Sequence, residues 1–261
     1  MPDSHTIAEN LTRLTTARTD IASAITTKGG TVATGAGFED FPTAIGTIPS
    51  GGGSQDFIDL IEGDITSLTI PSGTTSIRRS CFTNLSSMTS VTIPNTVTNI
   101  GPYAFSSCTG LTSLTIPSSV TTIGTASAGS TFESCTSLTS ITVPDTVTSI
   151  GPSTFRLCTA LTTVVTPRGV TSISALYDSC SGLTSATITD NITTLAQRNF
   201  YGCTHLTSIK FEGTTPPTSG NANNWSNLPT SCVIQVPTGS LTAYTTANNY
   251  PSPNTYTYVE Y

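Results

Sequence analysis

The stretch Leu111-Thr112-Ser113-Leu114-Thr115-Ile116-Pro117-Ser118-Ser119-Val120-Thr121-Thr122-Ile123-Gly124 decides how the whole chain is read. Leu111, Leu114 and Ile116 make an L-x-x-L-x-L pattern whose later positions alternate apolar and polar, the period of a half-buried strand. Pro117 ends it, since a strand that stops needs no further ladder N–H. Val120 and Ile123 then supply a second apolar pair. Working outward, the same frame recurs: Ile70-Pro71, Ile93-Pro94, Ile116-Pro117, Val143-Pro144 and Thr166-Pro167 place successive prolines 23, 23, 27 and 23 residues apart. Thr189 and Glu212 continue the frame without proline.

On that frame the apolar residues fall into columns. One reads Ile65, Met88, Leu111, Leu138, Leu161, Leu183, Leu206; the next Leu68, Val91, Leu114, Ile141, Val164, Ala186, Ile209; the third Ile70, Ile93, Ile116, Val143, Thr166, Ile188, Phe211. An aromatic column follows as Phe82, Phe105, Phe132, Phe155, Tyr177 and Phe200. No single unit can bury its own apolar side, so stability must come from stacking neighbours. The fold expected is mainly β with short helices: a solenoid of about six coils of 22–27 residues on a parallel sheet, with the four extra residues near Thr125–Ser130 looping out.

Composition agrees with a surface built from hydroxyls rather than charges. Thr and Ser number 55 and 34 of 261 residues, and charged residues make up 9%, against about 25% in an ordinary soluble protein. A net charge of -6 provides no cationic field for nucleic acid or for an anionic membrane surface. No apolar run approaches the roughly 20 residues of a membrane span. The first residues, Met1 to Asn10, lack a signal peptide's basic flank and apolar core, which points to a mature chain or to folding in a cytosol.

Alternation along each strand sends two columns outward. They read Ser67, Ser90, Ser113, Ser140, Thr163, Ser185, Ser208 and Thr69, Thr92, Thr115, Thr142, Val165, Thr187, Lys210. As a candidate ligand-binding face the ladder comprises Ser90, Thr92, Ser113, Thr115, Ser140, Thr142, Thr163, Ser185, Thr187 and Lys210, suited to glycan hydroxyls or a protein. The competing reading is that Thr has good β-propensity and stays soluble without charge.

Reagents for catalysis are scarce. Histidine occurs only at His5 and His205, and Glu133, Asp145, Asp178 and Asp190 stand singly, without the opposed pair of a glycosidase. Cys108, Cys135, Cys158, Cys180 and Cys203 share a column with Leu85, which argues for buried structural thiols. Stacking about 4.8 Å apart leaves vertical disulfides open. Metal spacing of the C-x-x-C type and a phosphate-binding glycine loop are both absent, so no metal, cofactor or catalytic residue is expected.

Residues 6–28 read as a helix entered by a Thr6-Ile7-Ala8-Glu9 capping box and ended by Gly29-Gly30. Ile7, Leu11, Leu14, Arg18, Ile21 and Ile25 step by 4, 3, 4, 3 and 4, the spacing of a short coiled coil, so they are candidate oligomerisation residues, with a trimer as one outcome. A single helix packed on its own subunit fits the same spacing. Domains follow as 1–48, helical anchor or oligomerisation segment; 49–56, Gly/Ser linker; 57–213, solenoid; 214–261, C-terminal cap and tail.

The repeat, carried by Leu111 to Gly124 and by Ala104-Phe105-Ser106-Ser107-Cys108-Thr109-Gly110, resembles the BspA-like class of bacterial leucine-rich repeats. That resemblance implies adhesion at a cell surface, binding of host proteins or glycans, and no catalysis. Cys232 to Tyr244 is similar to the cap that closes such arrays with a last strand and a short helix. Residues 20–54 look like modules of tailed-bacteriophage structural proteins. Together these imply a virion protein of the tail, fibre or head-decoration type, attached through its N-terminal segment to other virion proteins and displaying the repeats toward a host cell-surface glycan or protein. The alternative is a bacterial cell-surface adhesin. Two further readings are an ice-binding solenoid and a glycan-active enzyme.

Overall fold

The computed structural model describes residues 66–261; the N-terminal helix, the linker and the six candidate oligomerisation residues lie outside them. Short strands follow one another as β1 (Ser67–Thr69), β2 (Ser76–Ile77), β3 (Ser90–Thr92), β4 (Asn99–Ile100), β5 (Ser113–Thr115), β6 (Thr122–Ile123), β7 (Ser140–Thr142), β8 (Ser149–Ile150), β9 (Thr163–Val165) and β10 (Ser172–Ile173). They continue as β11 (Ser185–Ile188), β12 (Thr194–Leu195), β13 (Ser208–Phe211), β14 (Thr218–Ser219), β15 (Val233–Val236) and, after helix α1 (Leu241–Thr246), β16 (Thr257–Glu260). All named pairings are parallel. Odd-numbered strands form the main row, and β16 adds to it beside β15. Between the paired groups the row is carried across by Thr112 N–H to Thr89 O at 3.2 Å and Thr162 N–H to Thr139 O at 3.4 Å. Even-numbered strands form a second row, paired through β2-β4-β6-β8 and again through β10-β12-β14.

The leucine-rich-repeat solenoid expected from the columns is the fold observed. It is longer than expected: nine main-row strands bound eight turns, because the array runs on through residues 214–256 instead of ending near Phe211. The helix does not cover the last sheet edge. It stands in coil eight, where earlier coils place their second strand, and buries Tyr244 against Phe211 at 4.9 Å between ring centroids. β16 then forms the edge, and its Glu260 carboxylate accepts the Gly239 and Leu241 N–H groups at the helix start, at 2.9 and 3.1 Å.

The aromatic column explains the core's regularity. Phe82, Phe105, Phe132, Phe155, Tyr177 and Phe200 stack with centroid spacings of 5.3–5.9 Å. Trp225 extends the stack at 5.9 Å, and Tyr250 closes it, tilted, at 5.3 Å. Around each ring from Phe82 to Phe200 the backbone turns left-handed two residues before and two after: Ser80 and Asn84, Tyr103 and Ser107, Ser130 and Ser134, Ser153 and Leu157, Ala175 and Ser179, Arg198 and Gly202. This geometry turns N–H groups toward the next coil, as in Tyr103 to Gly129 O at 3.0 Å and Ser107 to Glu133 O at 2.7 Å. A β-branched side chain collides with its own backbone there. None of the thirteen non-glycine residues at positive φ among the described residues is Thr, Val or Ile, although Thr is the commonest residue in the chain. Ser134 (φ 60°) is a convenient test. Ser134→Val is expected to cost about 1–2 kcal/mol and Ser134→Gly to gain about 0.5–1 kcal/mol, measured by denaturant unfolding.

Threonine has a structural task of its own. The residue before most strands of both rows is Thr, and its hydroxyl donates to the backbone carbonyl of the matching Thr one coil earlier. Thr89 bonds Thr66 O at 2.8 Å, Thr184 bonds Thr162 O at 2.9 Å and Thr207 bonds Thr184 O at 2.9 Å. Thr98, Thr121, Thr148 and Thr193 do the same beside the second row at 3.1–3.4 Å. In most of these places the carbonyl also takes the N–H of the same Thr, as when Thr207 N–H reaches Thr184 O at 2.8 Å, so both of its lone pairs are used. Thr207→Val keeps the shape and removes the donor, and is expected to cost about 0.5–1 kcal/mol. On the outward face Thr115→Val should leave the melting temperature unchanged.

Candidate functional site

Strand register decides what the outward face presents. Ser67, Ser90 and Thr69, Thr92 are paired across β1 and β3; Ser113, Ser140 and Thr115, Thr142 across β5 and β7. Thr163, Ser185, Ser208 and Val165, Thr187, Lys210 continue through β9, β11 and β13. All ten candidate ligand-binding residues therefore stand on one face in two straight columns. The columns run further than the sequence columns did, through Val233 and Thr257 in one and Gln235 and Val259 in the other.

These hydroxyls differ from those of the threonine spines. Ser90 donates to Ser67 Oγ at 3.1 Å. Among the described residues Thr92, Ser113, Thr115, Ser140, Thr142, Thr163, Ser185 and Thr187 make no side-chain hydrogen bond, so each keeps a donor and two acceptor sites for solvent or a ligand. Lys210 breaks the pattern: its Nζ lies 4.3 Å from the centroid of the Tyr261 ring, whose hydroxyl is bonded to Phe211 O at 2.8 Å. Between β5 and β7 the face sinks into a shallow depression of about 280 Å³, with Ser113, Thr115, Ser140 and Thr142 at its polar rim and Leu114, Ile116, Ile141 and Pro144 as its apolar lining.

The five column thiols are all free and fully buried. Each donates to the carbonyl of the aromatic residue one coil back: Cys108 to Phe82 at 3.1 Å, Cys135 to Phe105 at 3.3 Å, Cys158 to Phe132 at 3.1 Å, Cys180 to Phe155 at 3.0 Å and Cys203 to Tyr177 at 3.3 Å. Loss of hydration on burial pushes Cys108, Cys158 and Cys203 up to about 12, and Cys135 and Cys180 in the same direction. His205 is exposed, with Nδ1 at 2.7 Å from Ser181 O, so Cys203 and His205 turn to different partners and form no nucleophile–base pair.

The carboxylates expected to stand singly are instead shared among arginines one coil away. Glu133 binds Arg156 at 2.5 Å, and Asp178 binds Arg198 at 2.8 Å with Arg156 Nε at 3.8 Å. Arg168 holds Asp190 at 2.7 Å and Glu212 at 2.5 Å, and its N–H donates to Asp145 at 2.8 Å. The residues involved are 20–44 apart in sequence, which is why a sequence pass saw them as isolated. Hydrogen bonding to Glu212 first, then its charge, raises Arg168 above the usual arginine range, and hydrogen bonding to Asp178 does so for Arg198. Among the described residues no group of three or more His, Cys, Asp and Glu could hold a metal ion, and no helix is long and apolar enough to cross a membrane.

Sequence reading also missed a buried amide ladder one position before the rings. Asn199 Oδ1 accepts Leu176 N–H at 3.2 Å, while Asn224 Oδ1 accepts Asn199 N–H at 2.9 Å and Asn199 Nδ2 at 3.0 Å. Asn224 Nδ2 reaches Leu195 O and Ser219 Oγ, both at 3.0 Å. The signal available was the recurrence of small polar residues before the aromatic, in Thr131, Thr154, Asn199 and Asn224.

Comparison with known proteins meets the same repeat. The family model of the BspA type leucine rich repeat region matches residues 61–174 and 128–228, with six copies. Among solved structures the chain is similar to the leucine-rich repeat protein of T. pallidum, at 28% identity over 63% of this chain and 78% of that one, with a TM-score of 0.51. A leucine-rich repeat protein from Bacteroides ovatus shares 20% identity over 66% of this chain and 63% of its own, TM-score 0.45. A leucine rich cell surface protein from Faecalibacterium prausnitzii shares 22% over 60% of this chain and 62% of its own, TM-score 0.31. No curated protein sequence matches the chain. These three are bacterial proteins, and the likeness of residues 20–54 to tailed-phage modules has no counterpart among them.

Proposed function

Because the chain belongs to the BspA-type leucine-rich repeat family, we propose that it is a non-catalytic binding protein displayed at a bacterial surface, an adhesin whose partner docks on the main-row sheet face. The observation that carries this reading is the division of labour among hydroxyls. Those of the spines are spent on neighbouring coils, whereas those of the outward columns are in register, exposed over β3 to β9 and unpaired among the described residues. Family membership makes an adhesive role the natural use of such a face.

The virion reading rests on residues 1–54, outside the described residues, while the adhesin reading rests on the solenoid itself. Adhesion is the experiment. Beads coated with the full chain are compared with beads carrying Ser113→Glu/Thr115→Glu/Ser140→Glu on the face, or Thr136→Glu/Thr159→Glu on the turn side, for attachment to host cells and matrix. Attachment should fall with the face variant alone. Equal attachment by all three would refute the assignment of the face. Mass spectrometry of cell-wall fractions against purified phage particles separates the adhesin from the virion protein.

A further inference from the structure

The geometry points to the open edge of β16 as an interface for a second copy of this chain, the two β16 strands pairing antiparallel about a two-fold axis through Val259. The inference does not depend on the role assigned to the outward face. Hydrogen-bond phase is what leaves the edge open. Tyr261 N–H reaches Val236 O at 3.1 Å, and Tyr261 O accepts Thr238 N–H at 3.2 Å. By the two-residue period of a parallel ladder, Thr257, Val259 and Tyr261 turn toward β15, while Tyr258 and Glu260 turn N–H and C=O away from it. Edge strands are ordinarily guarded by charge, proline or a bulge. β16 contains no proline, and its one charged group, the Glu260 carboxylate, is spent on the Gly239 and Leu241 N–H groups at 2.9 and 3.1 Å. Val259 and Tyr261, at 44% and 49% exposure, are two of the four large apolar side chains left exposed among the described residues.

A second copy is the occupant that the charges favour. Residues 213–261 contain a single charged side chain, that of Glu260. A two-fold contact sets each surface patch against itself, which costs repulsion wherever the patch is charged and costs none here. A charged partner, by contrast, would find no counter-charge on this end of the solenoid. The register follows from the phase, because outward-turned residues must face one another in hydrogen-bonded pairs. With the axis through Val259, Tyr258 meets Glu260 of the partner subunit on both sides, and Val259 meets its own copy in the closer, non-hydrogen-bonded pair, about 4.5 Å between Cα atoms. An axis through Glu260 would oppose two carboxylates. One through Tyr258 would call on Tyr256, whose N–H already donates to Ser252 O at 2.9 Å. Directly opposed residues of an antiparallel pair point to the same side, so the main rows of both copies join into one sheet with their hydroxyl columns facing one way.

A contact centred on one short strand pair is small, and the dimer should be weak, with a dissociation constant of roughly 10–1,000 μM. The test keeps the full chain at concentrations above that range. Val259→Cys is exposed to glutathione disulfide and run on a non-reducing gel, with the parent treated alike as the background from native thiols. A linked dimer is expected, since Cα separations of about 4.4–6.8 Å suit a disulfide. Gln235→Cys, one strand further in, should give none, its two copies standing roughly 14 Å apart. A second readout is hydrogen exchange at the Tyr258 and Glu260 amides. Exchange should be several-fold slower in the parent than in Val259→Lys, which sets two ammonium groups against each other, and Val165→Lys, at an equally exposed valine of the middle coils, should match the parent. The inference is overturned if Val259→Cys links no more than the background, if Gln235→Cys links as readily, or if both amides exchange as fast in the parent as in Val259→Lys. Association through residues 6–28 alone would leave both amides fast, and so would also overturn it.

Discussion

Phe132→Ala is expected to lower the stability of the solenoid by about 3–5 kcal/mol, a large share of the roughly 5–15 kcal/mol that holds a domain of ordinary stability together. The ring is wholly buried and lies between Phe105 at 5.5 Å and Phe155 at 5.6 Å, with 6° between planes on either side. Removing it opens a cavity that stacked neighbours cannot fill. Their backbones are pinned to one another by N–H bonds such as Phe105 to Thr131 O and Phe132 to Thr154 O, both 2.9 Å. It also ends two ring–ring contacts, each contributing about 0.5–1.5 kcal/mol beyond area burial. Phe82 has a single described ring neighbour, at 5.3 Å, so Phe82→Ala should cost visibly less. Denaturant unfolding of the two variants, followed by circular dichroism, checks both statements. Equal losses would mean that the column does not act as a stack.

Alkaline unfolding is the second large effect. Burial raises all seven thiols, Cys81 and Cys232 to about 11 and the column thiols further. A thiol with a raised folded-state pKa holds its proton where the unfolded chain has lost it. Its contribution is therefore complete below the unfolded value, near 9, and is lost as pH rises toward the folded value near 12. Each thiol withdraws on the order of 1 kcal/mol per pH unit in that window, and several act together. Melting temperature should stay level to about pH 9 and then fall steeply, with iodoacetamide reacting only as the protein opens. Replacing Cys158 with Ala removes one titrating group and should make the fall shallower. Fast alkylation of the native protein at pH 8 would contradict the burial.

The columns of Leu, Ile and aromatic residues were legible in the sequence because one period of 23 residues repeats them, and a stacked coil turns that period directly into contact. Departures from the period explain what was missed. After Phe211 the spacing to the next strand lengthens, Trp225 replaces Phe, and the proline after the strand is delayed to Pro237, so the last two coils were taken for a cap. The ion pairs and the Asn199–Asn224 ladder join residues from different coils, a relation that only stacking reveals. Left-handed turns did leave a trace, in the avoidance of Thr two residues before and two after every ring from Phe82 to Phe200, but an avoided residue is harder to notice than a repeated one. Of the candidate site, the position of the hydroxyls on one face could be read from alternation alone. That they are unpaired, while equally common threonines nearby are not, required knowing which carbonyl each one meets.

Threonine spines and backbone ladders set the response of this molecule to force. Every bond between coils runs along the solenoid axis, so a pull applied at the two ends loads one coil boundary at a time, and the outermost turn peels while its neighbours stay folded. A freed 23-residue turn releases roughly 75 Å of chain. In the adhesin proposed above, that arrangement would make the array a reserve of length: a sudden tug would be absorbed as a succession of small yields, and coils holding a partner would stay intact until the slack had run out.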